Sequence, residues 1–125
     1  MKVWLDDNRP APIGWAWVKT VDDCIQCLMD ARAHVEALSL DHDLGWCDDC
    51  VKAARIDEDG VILNPIVSQC AHVKSGYDMA CWLEEYDMFG PPVIVIHSVN
   101  PEGASRMKTA LEHGGRVVLL RPFGS

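Results

Sequence analysis

The sequence has too few basic residues for a broad grip on nucleic acid, with 11 Lys and Arg against 19 Asp and Glu. Its formal net charge of -8 at pH 7 would repel a phosphate backbone, which argues against an extended nucleic-acid surface. A small pocket for a single phosphate group stays compatible with this charge, particularly where carboxylates hold a cation.

Long hydrophobic runs are absent as well. No stretch approaches the ~20 apolar residues of a membrane span, and the opening MKVWLDD lacks the pattern of a secretory signal peptide. Internal repeats and low-complexity segments are also missing. We therefore expect a single domain over residues 1–125 that has no membrane segment and works in the cytoplasm.

Five short apolar runs set the order of the secondary structure. The predicted strands are Val3–Leu5, Trp15–Lys19, Val35–Leu40, Val93–Ile96 and Arg116–Leu120. Prolines and a glycine within residues 8–14 exclude a regular helix from the first connection. Three predicted helices begin at capping residues, which are Thr20, Ser75 and Asn100. Strands that alternate with helices predict a parallel sheet with right-handed crossovers and the strand order 2-1-3-4-5.

Polar side chains follow four of the five predicted strands. They are Asp6 and Asp7, then Asp41, His42 and Asp43, then His97 and Ser98, and finally Arg121. In open parallel sheets, ligands bind outside the carboxyl ends of the strands. The sequence therefore predicts a functional pocket at this edge of the sheet.

Carboxylates that converge in such a pocket repel one another unless a cation or a proton intervenes. Asp6, Asp7, Asp41 and Asp43 would present hard oxygen ligands, which suit Mg²⁺ or Mn²⁺. A cation held there would draw a phosphate oxygen and stabilise the charge that moves in a reaction. In the structural alternative, Asp6 and Asp7 cap a turn and Asp43 is a solvated loop acid. The shared location of the group favours function.

Histidines and arginines supply the rest of the predicted chemistry. His42 and His97 end neighbouring strands, and such a pair can divide the acid and base roles in opening a cyclic phosphodiester. One of three arginines, Arg9, Arg106 or Arg121, can hold nonbridging phosphate oxygens through two hydrogen bonds. In the alternative interpretation, His42 is an ion-paired loop residue and His97 a hydrogen-bonded core histidine.

The alternation of strands and helices is interrupted between residues 44 and 74. Two short runs, Ala53–Ile56 and Val61–Leu63, flank an Asp-Gly turn and predict a hairpin. Cysteine and histidine pairs bracket this hairpin with the spacing of a structural zinc site, the ligands being Cys47, Cys50, Cys70 and His72. The prediction is a zinc-ribbon-like insert over residues 44–74, closed around Zn²⁺.

The remaining cysteines have a simpler interpretation. Cys24 lies on the apolar stripe of the first predicted helix, so Cys24-x-x-Cys27 is more typical of core thiols than of a metal site. Cys81 is also assigned to packing. A variant of the zinc prediction replaces His72 by His42, which would join the zinc to the pocket.

The motifs resemble those of response-regulator receiver domains. An acidic pair follows the first strand, Asp41 stands at the phosphoacceptor position, and Ser98 is similar to the switch hydroxyl. Arg121-Pro122-Phe123 resembles the receiver's Lys-Pro-Phe, with Arg in place of Lys. His42 and His97 are not receiver features, and the helix after the first strand and the final helix are expected to be missing.

With these departures, the sequence resembles a divergent branch of receivers, the cyclic-phosphate-processing receiver-like domains of bacteria and phages. The matching segments are WLDDNRP, SLDHDLG, GYDMACWLEE and IHSVNPEGASRM. The resemblance implies an α/β, receiver-like (flavodoxin-like) five-stranded parallel sheet without the first and last helices. It also implies a cyclic phosphate of a nucleotide or of an RNA end as substrate, with Asp41 catalytic. Ser98 and Asn100 would then join the arginines in binding the substrate.

Three functions follow from these patterns. The first is metal-assisted hydrolysis of a cyclic phosphate by a cyclic phosphodiesterase. The second is a signalling receiver that takes a phosphoryl group on Asp41. The third is a non-catalytic module of a phage that binds a nucleotide or a host partner.

The missing helices have a consequence for assembly. A sheet of this class normally has both faces covered, yet Trp15, Trp17 and the strand residues stay apolar. An exposed apolar sheet face marks an interaction surface. We expect either a homodimer that buries this face or an insert folded over it.

Overall fold

The five apolar runs form one parallel sheet in the computed structural model, which describes residues 1–31, 34–45 and 73–121. The strands are β1 (Lys2–Leu5), β2 (Trp15–Val18), β3 (Ala37–Leu40), β4 (Val93–Ile96) and β5 (Val117–Leu120). The helices of the described part are α1 (Val21–Ala31), α2 (Gly76–Glu85) and α3 (Pro101–His113). The strand order β2-β1-β3-β4-β5 confirms the prediction.

One side of the sheet carries the hydrophobic core. Alternate strand residues point towards the helices and are fully buried, among them Val3, Leu5 and Ile94. The helices contribute their apolar stripes to the same cluster, for example Leu28, Met79, Leu83, Met107 and Leu111. The three helices of the described part therefore pack on one face of the sheet.

The helix starts have the predicted capping chemistry. The Asn100 side chain accepts a hydrogen bond from the backbone N–H of Gly103 at 2.9 Å, and Pro101 occupies the first turn. The Asp78 carboxylate accepts from the backbone N–H of Ser75 at 2.7 Å. The Thr20 hydroxyl accepts from the N–H of Asp23 at 3.1 Å. These short polar residues satisfy amide groups that have no partner within a helix.

The connection between β1 and β2 contains no helix, as the prolines predicted. Two tryptophans of the strands hold it instead. The indole N–H of Trp4 donates to the carbonyl of Arg9 at 3.0 Å, and that of Trp17 donates to the carbonyl of Asp6 at 2.7 Å. The first receiver helix is thus replaced by a loop anchored to the open face of the sheet.

Four strand boundaries differ from the prediction by one or two residues. β1 begins at Lys2, β2 ends at Val18, and β3 and β5 begin later than predicted. β3 begins at Ala37 rather than Val35, because the N–H of Glu36 bonds to the carbonyl of Met1 before the regular ladder starts. β5 begins after Arg116, whose buried guanidinium donates to the carbonyls of Leu83, Asp87 and Phe89. Arg116 thereby satisfies carbonyl groups at and beyond the end of α2.

The cysteines of the described part follow the packing interpretation. Cys24 is fully buried in the core, and burial raises the pKa of its thiol to about 12, as expected for a packed neutral thiol. Cys27 and Cys81 are half-buried free thiols.

Several predictions lie outside the described residues. They are the hairpin Ala53–Ile56 and Val61–Leu63, the zinc ligands Cys47, Cys50, Cys70 and His72, and the residues Pro122 and Phe123. The zinc site and the insert over 44–74 stay predictions. Within the described ranges, no helix has both the length and the apolar character needed to cross a membrane.

Candidate metal and phosphate site

Three aspartates converge at the carboxyl edge of the sheet. Asp6 and Asp7 follow β1, and Asp41 follows β3, which pairs with β1 in parallel. One ligand oxygen of each lies within 4.8 Å of the others. They line a cavity of about 210 Å³ whose other walls include Arg9 and Asp43. The structure thus brings together the four predicted carboxylates.

Asp6 is the most firmly held of these carboxylates. Its Oδ1 accepts from the backbone N–H groups of Asn8 and Arg9, each at 2.9 Å, and its Oδ2 lies 3.1 Å from His97 Nε2. Burial alone would raise the pKa of Asp6, but these hydrogen bonds, the one from His97 first, outweigh it and lower the pKa. Asp6 therefore stays ionised inside the protein.

Asp41 and Asp7 experience the opposite shift. Burial, reinforced by the negative charge of Asp6, raises the pKa of Asp41 to about 7. The same two causes raise the pKa of Asp7. In the absence of a cation the three carboxylates are therefore hard to ionise together. A divalent cation with oxygen ligands would relieve this repulsion, so the residues fit Mg²⁺ or Mn²⁺.

Gly45 allows the chain to pass close to this cluster. Its φ of +86° lies in the left-handed region, and a Cβ atom there would stand 2.5 Å from Asp7 Oδ2. The glycine of the motif SLDHDLG thus serves both the backbone turn and the position of a carboxylate.

His42 lies beside the cluster with one ring nitrogen engaged. Its Nδ1 is 2.8 Å from Asp43 Oδ1, and Asn100 Nδ2 lies 3.5 Å from the other oxygen of that carboxylate. The ring packs over Gly103 in the first turn of α3, where a Cβ atom would be 2.5 Å from its Cδ2. Among the described residues, Nε2 has no hydrogen-bond partner. Asp43 therefore orients an imidazole with one nitrogen available, the arrangement of an oriented base.

His97 lies deeper, and both of its ring nitrogens are engaged. Nδ1 is 2.6 Å from Ser39 Oγ, Nε2 faces Asp6, and the residue is 4% exposed. Its ring stacks on Trp4 with 3.7 Å between centroids and 8° between planes. In this arrangement His97 reaches the acidic cavity through Asp6.

The predicted phosphate-binding residues are distributed over three places. Arg9 lines the acidic cavity, and its positive charge opposes the rise in the pKa of Asp7 and Asp41. Arg106 lies over the ring of Tyr77, 4.3 Å from its centroid, in a groove between α2 and α3. Arg121 is exposed and lines a separate, largely apolar cavity of about 370 Å³. Of the three arginines, only Arg9 therefore lines the acidic cavity.

Ser98 and Asn100 organise the loop before α3. The Ser98 hydroxyl accepts from the N–H of Asn100 at 3.0 Å, and Ser98 also lines the apolar cavity. The Asn100 side chain caps α3 through its oxygen, and its Nδ2 lies 3.5 Å from Asp43 Oδ2. Asn100 thus reaches the acidic site, whereas Ser98 lines the separate apolar cavity.

Three residues of this site were not predicted from the sequence. Ser39, Trp4 and Trp17 lie within strands, where they were assigned only to the sheet. The one available signal is the hydroxyl of Ser39 in the otherwise apolar strand ALSL, on the side of β3 opposite Leu38 and Leu40. A buried hydroxyl needs a partner, and that partner turns out to be His97.

A comparison with protein families agrees with this architecture. The model of the family described as "Cyclic-phosphate processing Receiver domain" matches residues 1–113. No curated protein and no solved structure matches the chain. The family match covers every element from β1 to α3, together with the acidic cluster and both histidines. The chain therefore belongs to the family of cyclic-phosphate processing receiver domains.

Proposed function

We propose that the protein opens a cyclic phosphate, such as a 2′,3′-cyclic nucleotide or an RNA end, with the help of a divalent cation. The observation that carries this proposal is the meeting of two features at one sheet edge. Three carboxylates each place an oxygen within 4.8 Å of the others, and Asp43, which lines the same cavity, orients the imidazole of His42. The description of the family points to the same substrate class.

Asp6, Asp7 and Asp41 would hold the cation. When bound, Mg²⁺ or Mn²⁺ would polarise a phosphate oxygen and balance the negative charge that builds up on the phosphorus centre. Arg9, at the wall of the same cavity, would bind a further nonbridging oxygen. These contacts fix the phosphorus atom in front of the carboxylate cluster.

His42 would move the protons. As water attacks, a new P–O bond forms, and Nε2 of His42 accepts the proton that the water loses. The bond from phosphorus to one ribose oxygen then breaks, and the same nitrogen returns the proton to that oxygen. The products are a phosphate monoester and a free hydroxyl group. Asp43, bound at Nδ1, would stabilise the imidazolium that forms in between.

His97 would support this reaction from behind the cluster. The sequence predicts that it shares proton transfer with His42, whereas its hydrogen bonds to Ser39 and Asp6 favour an indirect contribution. We therefore assign proton transfer to His42 in the proposed reaction.

The test is a phosphorus NMR assay of purified protein on a panel of 2′,3′-cyclic nucleotides and cyclic-phosphate RNA ends, with Mg²⁺ or Mn²⁺. We expect conversion to the monoester, and a loss of about 10²- to 10⁴-fold for His42→Ala. The matched control is His113→Ala, because His113 is exposed and pairs with Glu84 at the far end of α3. An inert wild-type protein, or full activity of His42→Ala, would contradict the proposal. Binding without turnover would favour the non-catalytic module.

A signalling receiver is the second candidate, since Asp41 faces the acidic cavity as a phosphoacceptor would. Incubation with acetyl phosphate separates the two functions. A stable gain of one phosphoryl mass that Asp41→Asn removes would favour signalling. We expect no such adduct.

A further inference from the structure

A buried chain of hydrogen bonds runs from the middle of the sheet to the acidic cluster. It connects Ser39 on β3 with His97 after β4 and ends on Asp6 after β1. The three residues are only 2%, 4% and 1% exposed, respectively. The proposed reaction uses Asp6 of this chain directly, whereas Ser39 has no role in that reaction.

The direction of the hydrogen bonds follows from the partners. The Asp6 carboxylate is already an acceptor for two backbone N–H groups, so the proton of the third bond resides on His97 Nε2. A neutral imidazole protonated at Nε2 offers Nδ1 as an acceptor, and the hydroxyl of Ser39 is the donor beside it. Ser39 thus completes the hydrogen bonding of the ring tautomer that donates to Asp6.

The imidazole is also fixed against rotation. Trp4 stacks on one side of its ring, and the same indole donates to the carbonyl of Arg9 in the loop that carries Asp6. Ring, indole and loop therefore form one packed unit. A carboxylate held at both oxygens in such a unit has one orientation rather than several.

We propose that Ser39 and His97 are positioning residues that hold the Asp6 carboxylate in the orientation needed for a divalent cation. This inference rests on the cation site of the proposed function. Hydrogen bonds to a ligating carboxylate fix its orientation, and their loss commonly weakens metal binding by about 10- to 100-fold. The cation affinity would then depend on Ser39, whose side chain hydrogen-bonds to His97 and not to the cluster itself.

The experiment measures Mn²⁺ binding directly, by the electron paramagnetic resonance signal of free Mn²⁺, without any substrate. We expect Ser39→Ala to weaken binding about 10-fold or more. The matched pair at the ring is His97→Gln and His97→Asn. The Gln amide can reach the position of Nε2 and donate to Asp6, whereas the shorter Asn amide lies near the position of Nδ1. His97→Gln should therefore retain affinity, and His97→Asn should lose it.

Thr109→Ala removes an exposed hydroxyl on α3 and serves as the unaffected control. Nitrogen NMR of the His97 ring provides a readout that general destabilisation would not change. It should show an Nε2-protonated ring whose Nδ1 accepts a hydrogen bond in the wild type, and an Nδ1 signal shifted by the loss of that bond in Ser39→Ala.

Equal Mn²⁺ affinity of the wild type, Ser39→Ala and His97→Asn would overturn the inference, as would a wild-type protein that binds no Mn²⁺. If Ser39→Ala does not fold, the comparison of His97→Gln with His97→Asn decides the question. If the affinities differ as expected but no cyclic phosphate is opened, the proposed reaction fails and the positioning role stands.

Discussion

Asp6 and Asp41 show how far neighbouring groups can separate the pKa values of two side chains of the same type. Both are buried, and their ligand oxygens lie within 4.8 Å of each other. Asp6 accepts two backbone N–H bonds and faces His97, which lowers its pKa. Asp41 is desolvated beside the charge of Asp6, and its pKa rises to about 7. The site thus contains one permanent anion and one carboxyl group that ionises readily only when positive charge arrives.

This contrast predicts an unusual pH dependence of stability in cation-free buffer. The ordinary pKa of Asp41 is 3.8, so between that value and about 7 the folded state holds a proton that the unfolded state has lost. The contribution of Asp41 to stability is therefore fully present below pH 3.8 and declines as the pH rises to about 7, by on the order of 4 kcal/mol. Asp41→Asn removes this decline and should be the more stable protein at about pH 8.

Urea unfolding in the presence of a chelator, at about pH 5 and about pH 8, measures this effect. Asp30→Asn, at an exposed position of α1, is the control and should follow the wild type. A variant Asp41→Asn that is less stable than the wild type at the higher pH would show that Asp41 is not held in an unfavourable charged state.

The sequence located the carboxylates and His42 because they follow strands, and strand ends are predictable from apolar runs. It did not distinguish the two histidines. His97 comes directly after β4, and His42 comes one residue later after β3. Their environments differ because His97 is buried between Trp4 and Ser39. Such contacts join residues 58 and 91 positions apart and leave no local pattern.

At the scale of elements, the loop from β1 to β2 depends on tryptophan side chains of the open sheet face. The N–H of Trp17 donates to the carbonyl of Asp6 at 2.7 Å. Trp15 lies on the same face, in edge contact with Trp4, and its indole N–H has no hydrogen bond within the described part of the chain. The two positions therefore form a natural comparison.

We predict that Trp17→Phe weakens cation binding, because it frees the backbone of a carboxylate ligand. The lost hydrogen bond should also lower the free energy of unfolding by about 0.5–1.5 kcal/mol beyond the effect of Trp15→Phe, the control. Mn²⁺ titration and urea unfolding of both variants provide the measurements. Equal cation affinity of the two variants would refute a role for the Trp17 bond in the site.

The start of α3 brings a second element into the site. Asn100 caps the helix and approaches Asp43, while Gly103 leaves room for the ring of His42. A helix interior normally prefers Ala to Gly by about 1 kcal/mol. Gly103 is explained by the imidazole of His42, because a Cβ atom at this position would lie 2.5 Å from Cδ2 of that ring.

Gly103→Ala should therefore lower turnover while the helix itself is not weakened. The new Cβ atom would displace the His42 ring from its contact with Asp43, and we expect a loss of about 10-fold or more in the cyclic-phosphate assay. Mn²⁺ affinity should stay close to that of the wild type, because Asp6, Asp7 and Asp41 are untouched. Ser105→Ala, exposed on the same helix, is the control. Unchanged turnover in Gly103→Ala would contradict the proton-transfer role of His42.

At the scale of the whole molecule, the sheet order, the helix positions and the missing first helix were predictable. They depend on local patterns, namely apolar runs, capping residues and the prolines of the β1–β2 loop. The exact start of β3 and β5 was not, because Glu36 and Arg116 form tertiary hydrogen bonds that no local pattern encodes. Topology thus follows from the sequence, while boundaries depend on distant partners.

The side of the sheet opposite the helices has exposed apolar side chains. Neighbouring strands place a row of apolar side chains there, including Val93 paired with Val117 and Val95 paired with Leu119. Val93, Val117 and Leu119 are 42%, 57% and 43% exposed. Contiguous apolar surface of this kind is typical of an interface. Of the two expected occupants of this face, a second copy of the chain is the one whose presence changes the mass in solution.

Light scattering at micromolar concentration should then give twice the mass of the 13.9 kDa chain. Val117→Lys places a charge within this apolar face, where a dimer would have to desolvate it without a partner, so it should yield a monomer. The control is Met29→Lys, because Met29 is similarly exposed, at 45%, but lies on α1 across the sheet. A wild-type monomer, or a Val117→Lys dimer, would exclude this interface and favour the other expectation, in which part of the same chain covers the face.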